Sequence, residues 1–344
     1  MAHRLQTTLT VLSLLGAGAF GAIAQGLSVT AKAAAKPVPA TATAIPAPAL
    51  RTADGHPDLQ GYWTNTTVTP LERPKELAGK EFFTPEEAAE WAKRQLATPE
   101  ATGPGTYADV HYNMAQFGLE KNQTKVAANI RTSLITDPPD GRIPTLMPEA
   151  RQRATDRAAQ NKGHEFDGPE NRGLAERCIM WGTEGPPMLP VGYNSNLQIV
   201  QGPGYVAVMQ EMIHDVRMIP TDGSPHLPSS VRQWMGDASG HWEGDTLVVD
   251  TTNFTDKTAF RGSSANLHVV ERFRRVDANT VLYQFTVDDP STWTHSWSAE
   301  IPMTKIDGPI FEYACHEGNY GMANNLSGAR AEEKKAAVKQ QGAK

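Results

Sequence analysis

From about residue 196 onward, apolar and polar positions alternate in short runs. TVLYQFTVDDP sets Val281, Tyr283, Phe285 and Val287 on one face and Gln284 and Thr286 on the other. That is the period of a strand with one buried side. NLHVVERFRRV repeats it with Leu267, Val269, Glu271 and Phe273, and WSAEIPM with Trp297, Ala299, Ile301 and Met303. VDANT joins the first two as a tight hairpin, and Gly244-Asp245 supplies turn chemistry inside HWEGDTLVVDTTNF. NLQIVQ, GYVAVMQEM, DVRMIP, VRQWMG and IFEYACH are further strand candidates. About nine or ten closely spaced strands predict a mainly β fold, an antiparallel, up-and-down, lipocalin-like β-barrel over 191–325. The absence of a fixed repeat argues against a propeller.

The preceding part of the chain, 51–190, reads as irregular and partly helical, packed on the barrel within a single domain spanning 51–330. In FTPEEAAEWAKRQLAT, Thr84, Pro85 and Glu87 form a capping-box start, and Ala88, Trp91, Ala92 and Gln95 share a face. A second helix is expected from Pro148 to about Lys162, stopped at Gly163. It carries few large apolar residues and belongs on the surface. Residues 331–344 read as a polar tail.

The first 24 residues, with Arg4, a small-residue apolar core and AIA before Gln25, read as a secretory signal peptide. The Ala/Pro/Thr-rich stretch 25–50 reads as an extended, disordered linker. These readings place the protein outside the cytoplasm, in the periplasm or extracellular space, with no membrane span once the leader is cut. Cleavage removes one arginine and no acid, so net charge moves from −6 to −7. A mildly acidic exported chain has no electrostatic reason to bind nucleic acid. Its two cysteines, Cys178 and Cys315, are free to pair in an oxidising compartment, two separately buried thiols being the alternative.

Three strings resemble a family of exported bacterial proteins that is functionally uncharacterised. HPDLQGYW carries Pro57, Asp58, Leu59, Gly61 and Trp63; GDASGHWEGDTL carries Gly236, Asp237, Gly240 and Trp242 to Leu247; EYACHEGNY covers Glu312 to Tyr320. The resemblance spans nearly the whole mature chain. It implies export and supplies no activity.

No dinucleotide fingerprint, P-loop, HExxH, CxxC or EF-hand loop occurs, and Ser239 lacks a nucleophile-elbow setting. No redox cofactor is indicated. Three polar clusters remain. In EMIHDVRMIPTDGSPH, strand alternation puts Asp215 and Arg217 on one face, as a structural ion pair or a clamp for a carboxylate, with His214, Asp222 and His226 nearby. In QWMGDASGHWEGD, Trp234 and Trp242 bracket Asp237, Ser239 and His241, either as a ring-stacking wall or as a core pair beside a turn. In IFEYACHEGNY, alternation puts Phe311, Tyr313 and Cys315 on a structural face, and Glu312 and His316 on the opposite one, read as the lumenal side.

The leading expectation is an exported lyase, isomerase or hydrolase acting on a sugar-like or aromatic small molecule. His316 would be the general acid or base, oriented by Glu317 or Glu312, with His214 as second proton-transfer group. Arg217 or Tyr320 would steady an oxyanion. Trp234, Trp242, Asp237, His241 and Asn319 would bind substrate. A divalent metal on His214, His226, His241 and His316 is a minority reading, since none has close ligand spacing. The rival is a non-catalytic barrel holding a ligand in its lumen; a third reading is a structural envelope protein without a deep pocket. The sequence leaves the oligomeric state open.

Overall fold

The computed structural model describes residues 50–96, 129–182, 184–191 and 194–342. The expected leader, all but the last residue of the linker and the final two residues lie outside the described residues. Ten strands form one sheet: β1 (Gly61–Thr64), β2 (Ile135–Asp137), β3 (Asn196–Gly202), β4 (Tyr205–Gln210), β5 (Val216–Pro220), β6 (Asp237–Glu243), β7 (Thr246–Thr252), β8 (His268–Arg275), β9 (Thr280–Asp288) and β10 (Trp297–Lys305). Nine follow one another in the order β5-β4-β3-β1-β10-β9-β8-β7-β6, and β2 pairs with β10 off that path. The ring is a nearly closed antiparallel barrel, as the alternation predicts. One of its strands, β1, comes from the N-terminal half and sits between β3 and β10.

Every bonded neighbour pair in the ring is antiparallel. With an odd number of alternating strands, the two ends of the path, β5 and β6, must run in the same direction. They lie against each other without a ladder. Gly240 on β6 allows this approach, since a Cβ there would meet Ile219 Cγ2 at 2.9 Å and the Pro220 carbonyl oxygen at 3.2 Å. The open edge of β5 is blunted. Gln210 N–H donates to the Asp215 carbonyl and Thr221 N–H to that of Gly204. In this register Arg217 and Ile219 turn their main-chain groups toward β4, and Val216, Met218 and Pro220 turn theirs toward β6. Asp215 Oδ1 accepts the Val216 N–H at 2.7 Å, and proline has none to offer.

The barrel interior is a packed core. Trp63, Leu197, Ile199, Val249, Val269, Phe273, Tyr283, Phe285, Trp297 and Ile301 are all fully buried there. Each large apolar side chain so buried contributes about 1.5–3 kcal/mol. Phe285 and Trp293 meet Trp297 edge-on, with ring centroids 5.7 and 6.1 Å apart, a favoured aromatic geometry.

The two expected helices form. α1 (Pro85–Leu96) opens with the capping box: Glu87 N–H donates to Thr84 Oγ1, and Thr84 N–H donates to Glu87 Oε2 at 2.8 Å. α2 (Pro148–Asn161) buries only Ala150.

Two strand expectations fail. VRQWMG lies within the sixteen-residue return loop from Thr221 to Gly236 and makes one isolated bridge, Gln233 to Phe254. Because β5 and β6 are parallel, the chain must travel back along the barrel there. IFEYACH is also irregular. Both flanks of β10 are occupied by β9, β1 and β2, so no ladder position is open for it. Glu211 accepts the Phe311 N–H at 3.2 Å instead. The polar tail is helical, as the end of α3 (Tyr320–Gly342), a helix with no buried residue. Cys178 and Cys315 are disulfide-bonded, with Cα atoms 5.7 Å apart.

Candidate active site on the outer face

Among the described residues the inward barrel positions are filled by the core, which leaves no room there for the expected lumenal site. A surface groove of about 500 Å³ runs between residues 163–167 and α3, and a pocket of about 290 Å³ is lined by Leu174, Met180, Thr258 and Phe260 among others. None of the residues expected to carry chemistry lines either one.

The structure disperses the expected constellation. Glu312, His316 and Glu317 are exposed on the irregular segment, and Tyr320 is 74% exposed at the start of α3. The strand alternation that would have put Glu312 and His316 on one face does not exist there. Asn319 is a structural tie: its Nδ2 donates to the Glu176 carbonyl at 2.7 Å, and its Oδ1 accepts the Met322 N–H at 3.2 Å. His214 sits in the β4–β5 turn with left-handed φ of 64°, its Nδ1 buried without a hydrogen-bond partner. Trp234 lies in the turn before β6 and Trp242 near the far end of that strand, about 17 Å of strand rise beyond Asp237, which separates the two rings. Trp242 instead stacks on His56 at 4.6 Å between centroids and 7° between planes. His241 is exposed beside Glu243. Among the described residues no group of three or more His, Cys, Asp or Glu side chains is arranged to hold a metal ion.

Arg217 does not pair with Asp215. It points into the barrel and donates to both carboxylate oxygens of Glu271, at 2.9 and 2.5 Å. Tyr283 OH donates to Glu271 Oε1 at 2.8 Å and accepts the Met188 N–H at 2.9 Å. Burial works against the Arg217 charge, but Glu271 outweighs it and raises its pKa; burial and Glu271 push the Tyr283 hydroxyl well up. This trio is an internal brace, closed to solvent.

The arrangement suited to chemistry lies on the outside of β6, β7 and β8. Inward Ala238, Gly240 and Trp242 leave Asp237, Ser239 and His241 facing outward, and the β6–β7 register sets Ser239 opposite Asp250. The return loop brings His226 onto this face. His226 Nδ1 lies 2.8 Å from Asp237 Oδ2, and His226 Nε2 lies 3.0 Å from Asp250 Oδ1. The second oxygen of Asp250 lies 2.6 Å from His268 Nε2. Asp237 Oδ2 also accepts the Leu227 N–H at 2.9 Å. Gly236, with φ of 71°, immediately precedes the strand, at a point where a Cβ would meet the Thr252 carbonyl oxygen at 2.5 Å. The result is one chain of two carboxylates and two imidazoles, Asp237–His226–Asp250–His268. Its members are partly exposed, His268 at 39%.

The electrostatics follow the contacts. The hydrogen bond that His268 donates to Asp250 raises the His268 pKa; burial opposes it, and the charges of Asp250 and Asp288 add to the rise. Burial works to raise the Asp250 carboxyl, but its hydrogen bonds to His268 and His226 prevail and hold it below its ordinary value. An ionised Asp250 fixes the proton on His268 Nε2 and leaves Nδ1 as the free ring nitrogen. His226 and Asp237 were visible in the sequence as members of two separate clusters. Asp250 and His268 were not; the available signal was a charged residue at an outward strand position beside an apolar run.

No family model, no curated protein and no solved structure matches this chain.

Proposed function

We propose that the protein is an exported acid–base catalyst, a lyase, isomerase or hydrolase working without a redox cofactor on a sugar-like or aromatic small molecule. Its working pair is Asp250 and His268. The observation that carries this reading is the 2.6 Å contact from Asp250 to His268 Nε2 on a solvent-reached face. A carboxylate that orients an imidazole and stabilises its protonated form is the recurrent arrangement for general acid–base work near neutral pH. Among the described residues the His316 and Glu317 side chains have no such partnership. The disulfide suits an oxidising compartment, and among the described residues no helix is long and apolar enough to cross a membrane. Both agree with export. The ligand-holding alternative is disfavoured by the filled interior.

The test is a screen of the purified protein against glycosides, esters and aromatic compounds, with His268→Gln and His316→Gln run alongside. Turnover lost in the first variant and kept in the second is expected. Turnover kept in His268→Gln, or lost in His316→Gln alone, overturns the assignment.

A further inference from the structure

His226 touches a carboxylate at each ring nitrogen. A neutral imidazole carries one N–H, so it satisfies one such contact and turns a lone pair toward the other oxygen. A doubly protonated ring donates to both. We propose that His226 carries both ring protons and acts as a cationic bridge between Asp237 and Asp250, dividing the negative charge of Asp250 between two imidazoles and so tuning the proton affinity of His268. The inference deepens the Asp250–His268 reading and rests on it for its catalytic meaning. His226 is a positioning residue here, since it reaches the working nitrogen only through Asp250.

The neighbours support a local cation. Asp237 Oδ2 accepts the Leu227 main-chain N–H as well as facing His226 Nδ1, so this oxygen is placed as an acceptor toward the ring nitrogen. The charged groups around the chain have partners of their own. Asp222, on the return loop, accepts from Ser224. Glu243 on β6 is held by Arg272 of β8 and lies beside His241. Arg232 donates to the Phe254 and Ala265 carbonyls. Asp288 on β9 faces His268 in register and adds to the pull on its proton. Arg274 lies on the outward side of β8, at the end far from His268. Among the described residues His226 is the one basic side chain in hydrogen-bond contact with both Asp237 and Asp250.

The division of charge has a direction. With His226 cationic, Asp250 attracts the His268 proton less than an undivided carboxylate would. Removing the bridge raises the His268 titration midpoint, and removing Asp250 lowers it.

The experiment is histidine-ring NMR on the intact protein, with His268→Gln used for assignment. Two-bond proton–nitrogen spectra at pH 7 are expected to show both His226 nitrogens protonated; one bare nitrogen overturns the proposal. In His226→Gln the His268 midpoint is expected to rise by about one pH unit, and in Asp250→Asn to fall by about one unit or more. An unmoved or lowered midpoint in His226→Gln also overturns it. If a variant fails to fold, the nitrogen spectrum of the unsubstituted protein still decides. No substrate is needed, so a protein that turns over nothing yet shows this pattern would sink the catalytic reading while supporting the bridge.

Discussion

Arg217 and Glu271 meet inside the barrel as a bidentate pair, one from β5 near the unbonded seam and one from β8. Both are buried, and Tyr283 supplies a further donor to the carboxylate. Breaking a buried pair on one side leaves a stranded charge, which costs about 3–5 kcal/mol. Glu271→Gln should therefore lower the unfolding free energy by about 3–5 kcal/mol, read as a lower urea midpoint. The double variant Arg217→Met with Glu271→Leu should recover most of the loss. A single variant as stable as the parent in urea titration would contradict the brace.

Gly240 sits where β6 passes β5. Gly240→Val should destabilise by about 1–3 kcal/mol through overpacking against Ile219 and the Pro220 carbonyl. Thermal melting checks this; an unchanged transition would mean that the seam is looser than described.

The disulfide joins positions 137 residues apart. In the chain-entropy account its removal costs about 5 kcal/mol. Cys178→Ser with Cys315→Ser should lower the melting temperature and make the segment after Ile310 more readily cut by limited proteolysis than it is in the parent. A segment cut no faster than in the parent would contradict this.

Glu184 is buried, with Oε2 accepting the Trp181 N–H at 2.7 Å and Oε1 unpartnered. Burial raises its pKa from 4.5 to about 8. The folded state thus holds this proton more tightly than the unfolded chain. The stability it confers is complete below about pH 4.5, declines as pH rises, and is gone above about pH 8. Glu184→Gln should remove that slope, so the parent loses ground to the variant across this window. Parallel stability curves for the two proteins would contradict it.

Much of the barrel was legible because period-two alternation reports a buried face directly: Val281, Tyr283, Phe285 and Val287 are all buried as the pattern implies. Glu271 shared such a face, which marked its side and not its partner. The pattern failed where tertiary needs decide. IFEYACH alternates but finds no open strand edge, and VRQWMG is consumed by a crossover that strand parity demands. The first two motif regions meet at the His56–Trp242 stack, which ties the HPDLQGYW segment to the β6–β7 hairpin, and the third forms the disulfide segment. The site itself was half visible. Asp237 and His226 stood out as polar residues near turns, while Asp250 and His268 acquired meaning only when β7 and β8 were set in register.

The most direct test of the account is the pH–rate profile of His268→Gln beside the parent, on whichever compound the parent turns over. The account predicts a fall in kcat/KM of about 10²–10⁴-fold, loss of the limb that reports His268, and a thermal transition within about 2 °C of the parent. A variant that keeps the parent's rate and profile would contradict it.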